Sequence, residues 1–294
     1  MCEPLMCELL KSELLKMQAS HPPALPWLEV LNPAAMLGSV QAVLFDFDGT
    51  LSVIRHGWEK IMIAVMLESI CENQPPTPEI EAEVTQYVDG STGILTIKQM
   101  KWLEETVRRI GIAQNQRRAS EYKRIYLDRL LQPIYERLGQ LDGSLESRQS
   151  WMVAGALNCL LLLQQRGIKL FLASGTDQEY VAREAEALGI AHFFQGQIYG
   201  AQGDSEEDSK EKVIQRILAN QGLSGEKLLV VGDGPVEIQY ARQVGAITLG
   251  VACLEADRLS LDERKRQRLI RAGADFIISN YLHSAELAKM LCGG

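Results

Sequence analysis

No stretch of the 294 residues approaches the roughly eighteen consecutive apolar residues that a membrane span needs. The opening MCEPLMCELLKSELLKM carries Glu3 and Glu8 and lacks the basic start of a secretory signal. A basic excess is missing too: 30 Lys and Arg stand against 38 Asp and Glu, and the net charge of -8 argues against a nucleic-acid partner. The six cysteines (Cys2, Cys7, Cys71, Cys159, Cys253, Cys292) form no CxxC pair and no metal-ligand spacing. That pattern argues against a zinc or disulfide framework and reads as free thiols in a reducing compartment. Fixed-period repeats and low-complexity tracts are absent. These absences together predict a cytoplasmic protein with no membrane partner. Its 46% hydrophobic content suffices for one large domain or two modest ones.

What is present falls into three rhythms. Residues 1–40 read as an N-terminal helical extension, with Leu5, Met6, Leu9, Leu10 and Leu14 at helical spacing before HPPALPW breaks the pattern. A protein partner could dock there, although nothing in the sequence supports one. A first strand is predicted at QAVLFD, residues 41–46. From 55 to 148 the text is helical, with EKIMIAVMLESI, PEIEAEVTQYVDG, TIKQMKWLEETVRRIG and SEYKRIYLDRLLQPIYERLG each repeating apolar residues at three and four. After 149 the rhythm changes. The helix WMVAGALNCLLLLQQRG, then strands IKLFLA, one within HFFQGQIYG, KLLVVG, AITLGVA and DFIIS, alternate with amphipathic helices, as a parallel sheet flanked by helices requires. The expected division is therefore an α/β core of residues 41–54 and 149–294, interrupted by a helical insertion at 55–148.

Ligands in such sheets bind beyond the carboxyl ends of the strands. Three predicted strand ends carry polar residues there: Asp46 and Asp48 in VLFDFDGTL, Ser174 after IKLFLA, and Asp233 after LLVVG. Lys210 opens a helix that could face the same edge. Each residue alone would pass for a cap or turn former. Thr176-Asp177-Gln178-Glu179 reads as a capping box, and Gly234-Pro235 as a helix start. Their convergence on one edge is what gives them chemical weight.

DFDGT, LASGT, a lysine opening a helix, and GDGPVE, in that order, resemble the haloacid dehalogenase superfamily, and its cap-bearing phosphoglycolate phosphatase and β-phosphoglucomutase-like branch above all. The motifs span Asp46 to Glu237, and the strand-helix rhythm extends the likeness over about residues 41 to 290. The resemblance implies a three-layer α/β/α core with an inserted all-helical cap of the C1 type at 55–148, hinged through GTLSVIRHGW. It implies a phosphatase acting on a small phosphate ester such as a sugar phosphate.

The residue types suit that chemistry. An aspartate, with an unperturbed pKa of about 3.9, is a nucleophile without help from a base. Asp46 is the expected nucleophile and bearer of an aspartyl-phosphate. Asp48, two residues on in extended chain and so on the same side, is the expected proton shuttle. Gly49 lets the backbone turn away. The dehalogenase, P-type ATPase and phosphonate-cleaving branches lack an aspartate at that place, which favours phosphate esters. Clustered carboxylates beside a phosphate call for a hard cation, and Mg²⁺ is the expected cofactor. By resemblance its ligands are Asp46, the backbone carbonyl of Asp48, and Asp233, with Glu237 one helical turn along in the outer shell.

Ser174 and backbone amides near Gly175 at a helix start are expected to hold the phosphoryl oxygens, and Lys210, rather than its rival Lys212, to neutralise them. Arg55, His56 and Lys98, on or near the hinges, are the candidate substrate contacts. The basic run DERKRQRLIRAG is read as a solvated helix face, the acids Asp204, Glu206, Glu207 and Asp208 as a solvated loop, and VVGDGPVEI as too incomplete for a dinucleotide fingerprint. A β-phosphoglucomutase-like mutase and a catalytically silent binding module are the competing readings.

Overall fold

The computed structural model describes residues 25–203 and 209–292. The short apolar runs form a seven-stranded sheet: β1 Glu29–Val30, β2 Ala42–Phe45, β3 Lys169–Asp177, β4 Ile198–Ala201, β5 Leu228–Gly232, β6 Ile247–Val251 and β7 Phe276–Ile278. Their order is β1-β7-β6-β5-β2-β3-β4. All neighbours run parallel except β1, which pairs antiparallel to β7 at the edge.

Every residue of β2 is buried, because the strand lies in mid-sheet and is covered on both faces. Val43 and Phe45 share one face with Leu170, Leu172, Leu229 and Val231, against helix α6 (Ala156–Gln165) and helix α11 (Ser284–Cys292). Ala42 and Leu44 share the other with Phe171, Ala173, Leu228 and Val230, against α8 (Lys210–Gln221) and α9 (Pro235–Gln243). The period-two alternation of each strand thus builds the three layers expected from sequence.

Between β2 and β3 the described elements are helices: α1 Trp58–Cys71, α2 Pro78–Gly90, α3 Thr96–Ile110, α4 Ala119–Gly139 and the short α5 Leu145–Gln149. Trp102 of α3 stacks on Tyr87 of α2 at 3.8 Å between ring centroids. The chain leaving the sheet and the chain returning to it run side by side. Val53 N–H donates to the Trp151 carbonyl (2.9 Å) and Val153 N–H to that of Leu51 (3.0 Å). That pairing explains why α6 begins at Ala156 and not at Trp151: the backbone of 151–153 is occupied by the outgoing chain.

The expected N-terminal helical extension differs where it is described. Residues 25–40 contribute β1 and one 3₁₀ turn at Leu37–Ser39, and Glu29 pairs with Arg266 at 2.6 Å. A two-residue edge strand has no periodicity to read in the sequence. The helix expected at 5–17 and the acidic loop at 204–208 lie outside the described residues. Among the described residues no helix is long and apolar enough to cross a membrane.

Candidate active site

Parallel register sets the site. Phe45 lies opposite Leu172 on one side and Val231 on the other, and Asp46 N–H continues the ladder to the Val231 carbonyl at 2.8 Å. The next residues on the three strands therefore reach one edge together. They bring up Asp46, Ser174 and Asp233.

Asp46 is buried. Its Oδ1 accepts from Lys210 Nζ at 2.6 Å and its Oδ2 from the Thr50 hydroxyl at 3.2 Å. Lys210 also donates to Glu237 Oε2 at 3.1 Å, and Glu237 Oε1 accepts from Gly234 N–H at 2.9 Å. Burial pushes the Asp46 carboxyl well above its usual range; Lys210 pulls it down, and Glu237, Asp233 and Asp48 push it up again. Burial pulls the Lys210 ammonium down, but the carboxylates of Asp46 and Glu237 outweigh it and hold it protonated. Lys212, its rival from the sequence, is exposed.

Asp48 Oδ2 accepts from the hydroxyls of Ser174 (3.1 Å) and Thr176 (3.2 Å). Its Oδ1 is buried without a hydrogen-bond donor, 3.5 Å from Arg55 Nε. Burial raises the Asp48 carboxyl, against the opposing pull of Arg55, Ser174 and Thr176. Two hydroxyls on Oδ2 leave Oδ1 as the oxygen free to carry a proton.

The turn after Asp48 depends on glycine. Gly49 has φ +74°, and a Cβ there would lie 2.4 Å from Asp233 Oδ2. Gly93, in the loop between α2 and α3, has φ +97°, and a Cβ there would lie 2.4 Å from Glu237 Oε2 and 3.2 Å from Lys210 Nζ. Gly93→Ala should therefore cost about 1–3 kcal/mol of stability and about 10²-fold in turnover. Thermal melting and steady-state rates of that variant check both.

A cavity of about 60 Å³, room for several waters, joins the strand edge to the helical insertion. Asp46, Asp48, Ser174, Gly175, Thr176 and Asp233 line its floor. Trp58, Ile94, Gln99 and Tyr126 line its roof, with Arg55 between them.

Several sequence expectations need correction here. Lys98 is half-buried on α3 but does not line the cavity; Thr96 and Gln99 of that helix do. His56 is exposed and turned to Glu255, 3.5 Å from Nδ1, and its backbone carbonyl accepts from Arg137 (3.0 Å). Gly175 lines the cavity from inside β3, and the following helix, α7 (Gln178–Ala187), starts only at Gln178. The capping box expected at 176–179 does not form: Asp177 makes no side-chain cap, and Thr176 is turned to Asp48 instead.

The largest correction concerns DERKRQRLIRAG, which is solvated on one side only. In helix α10 (Glu263–Ala272) Lys265 and Arg268 are buried with Leu269 and Ala272. Lys265 Nζ lies 2.8 Å from Asp233 Oδ2 and 2.6 Å from Glu255 Oε1. Arg268 donates to the Asp233 carbonyl (3.0 Å), and across to Asp89 (3.1 Å) and Thr92 (3.1 Å) of the insertion. Positions 265, 268, 269 and 272 have the spacing of a buried helix face, the signal that charge alone obscured. Arg55, expected as a substrate contact near the hinge, is buried and bidentate on Glu184 at 3.0 and 2.6 Å.

One oxygen or more from each of the buried Asp46, Asp233 and Glu237 lies within 4.8 Å of the others. Three such buried carboxylates at one strand edge form an oxygen donor set that could hold a hard metal ion.

Residues 40–245 match the model of the haloacid dehalogenase-like hydrolase family. The chain belongs to that family. It is 24% identical over 213 residues to phosphoglycolate phosphatase of Vibrio cholerae, covering 72% of this chain and 84% of the relative. To the phosphoglycolate phosphatase of Synechococcus elongatus it is 24% identical over 223 residues, 76% of this chain and 88% of that protein. Together the family and these relatives support a phosphatase. Among solved structures, a predicted phosphatase from Clostridium acetobutylicum superposes with a TM-score of 0.55 at 18% identity, covering 85% of this chain and 98% of its own. A phosphonoacetaldehyde hydrolase-like protein from Oleispira antarctica gives 0.55 at 17%, covering 88% and 96%. At these identities the likeness is one of fold.

Proposed function

We propose that this hydrolase is a Mg²⁺-dependent phosphatase that cleaves a small phosphomonoester through an aspartyl-phosphate on Asp46. One observation carries the reading: Asp46 and Asp48 meet at one cavity in complementary settings. Asp46 has Lys210 at 2.6 Å to balance its charge. Asp48 has two hydroxyls on one oxygen and none on the other.

Asp46 attacks phosphorus in line with the leaving oxygen, and the phosphorus–oxygen bond to the alcohol breaks as the bond to Asp46 forms. Asp48 Oδ1 delivers its proton to the departing alkoxide. The same oxygen then takes a proton from the water that hydrolyses the acyl phosphate, returning Asp46 as a carboxylate. Ser174 and Lys210 hold the phosphoryl oxygens as charge builds on them.

Asp46 and Asp233 would hold the Mg²⁺, with the Asp48 carbonyl; Glu237, already engaged by Gly234 N–H and Lys210, would orient them from outside. The ion would supply positive charge to the carboxylates and to the phosphate they face, which suits a cluster in which Glu237, Asp233 and Asp48 push the Asp46 carboxyl up.

Residues 55–148 act as a C1-type cap over residues 41–54 and 149–294, excluding water from the cavity. The small cavity favours a short-chain ester over a sugar phosphate. 2-Phosphoglycolate is the first substrate to try. A mutase of the β-phosphoglucomutase kind is disfavoured, since His56 at the hinge turns to Glu255 and not to the cavity.

Phosphate release from a set of short-chain and sugar monoesters, with Mg²⁺ and with a chelator, tests the proposal. Release that needs Mg²⁺ and is strongest for short-chain esters is expected. Transfer of phosphate within a sugar without release would favour the mutase, and no release from any ester would favour a silent binding module.

A further inference from the structure

Lys265 is a buried cation at the metal-side carboxylate, placed there by an element that no motif covers. Its ammonium lies 2.8 Å from Asp233 Oδ2 and is held on its other side by Glu255 at 2.6 Å. A Cβ at Gly49 would lie 2.9 Å from the same nitrogen, so the DFDGT turn and Lys265 close on each other around Asp233. Arg268 adds a second positive group, 3.7 Å from Asp233 Oδ2. Lys210 already serves Asp46 and Glu237 on the opposite side of the cluster. Lys265 is therefore not needed to balance those two acids.

We propose that Lys265 is a positioning residue that competes with the metal for Asp233, and that Glu255 sets the strength of this competition by drawing the ammonium away. The inference rests on the metal reading above. It follows from charge and geometry. An ammonium in contact with a ligand carboxylate repels an arriving divalent cation and occupies one of the oxygens it would use. Glu255 shares the ammonium and so weakens its hold on Asp233. Both residues stand outside the acids that would ligate the ion, so each can be changed without removing a ligand.

The two groups should act in opposite directions. Lys265→Met keeps the length of the stem, removes the competing charge and leaves Glu255 as a further anion. Its Mg²⁺ affinity should rise about tenfold or more. In Glu255→Gln the ammonium keeps Asp233 as its sole charged carboxylate partner, and affinity should fall by about the same factor. Lys265→Arg keeps the charge and should stay near wild type.

Calorimetric titration of metal-free protein with Mg²⁺, at fixed pH and ionic strength, reads all three. Opposite shifts in the Met and Gln variants support the proposal. A residue that only fills and neutralises a buried site would lower the melting temperature without moving the two affinities apart. Unchanged or weaker binding in Lys265→Met overturns the proposal. If that variant does not fold, unchanged or tighter binding in Glu255→Gln overturns it equally. Wild-type protein that takes up no Mg²⁺ overturns the metal reading and this one with it, whereas normal wild-type uptake with unmoved variants overturns this one alone.

Discussion

Asp46→Asn should abolish turnover, by on the order of 10⁴-fold or more, as the loss of a covalent nucleophile does elsewhere. The amide keeps the volume of the side chain, so the buried packing at the end of β2 is retained. It removes a negative charge that Asp233, Glu237 and Asp48 already oppose. Lys210 keeps Glu237 as a partner. The melting temperature should therefore hold or rise while the rate collapses. That combination separates loss of chemistry from loss of fold, and Mg²⁺-dependent phosphate release beside a thermal melt measures it. Wild-type rates in the variant would remove Asp46 from the mechanism.

Lys210→Met carries the second large effect, this time on both axes. The ammonium sits between two buried carboxylates, at 2.6 and 3.1 Å. Removing one partner of a buried charge pair leaves the other uncompensated and costs about 3–5 kcal/mol. Loss of the group that neutralises the phosphoryl oxygens should cost a further 10²–10³-fold or so in rate. Lys212→Met, two residues along the same helix, changes an exposed side chain and should stay within about 0.5 kcal/mol of wild type. Urea unfolding of the two variants side by side checks the contrast. Equal stability in both would mean that Lys210 does not neutralise the cluster.

The parallel core was legible because strands buried on both faces read as unbroken apolar runs. Val43–Phe45, Leu170–Ala173 and Leu228–Val231 all do so. The ends of those runs located Asp46, Ser174 and Asp233, since a carboxylate or hydroxyl directly after an apolar strand marks where the core stops. The four long helices of the insertion were legible from their spacing.

What was not legible depends on tertiary partners. Thr176 has the sequence context of a cap, and only the approach of Asp48 gives it another task. Arg55 reads as a hinge residue open to substrate until Glu184, 129 positions away, is brought to it. The Thr92–Ile94 loop appears in the sequence only as a break between two helices. Lys265 and Arg268 sit in a run so basic that charge masks their core-face spacing. Buried cations are rare, and a charge-based reading assigns such residues to solvent by default.

The central claim is that phosphate passes through Asp46 and that Asp48 governs its release. Acetyl phosphate isolates the two steps, because its departing acetate needs no proton. In Asp48→Asn the first step should then proceed while hydrolysis of the intermediate stalls. Peptide mass spectrometry after acid quenching of that variant, with Mg²⁺ present, is the direct measurement. One phosphoryl group per chain, carried on Asp46, is the predicted result. An unmodified Asp46, or a phosphoryl group on any other residue, would contradict the mechanism.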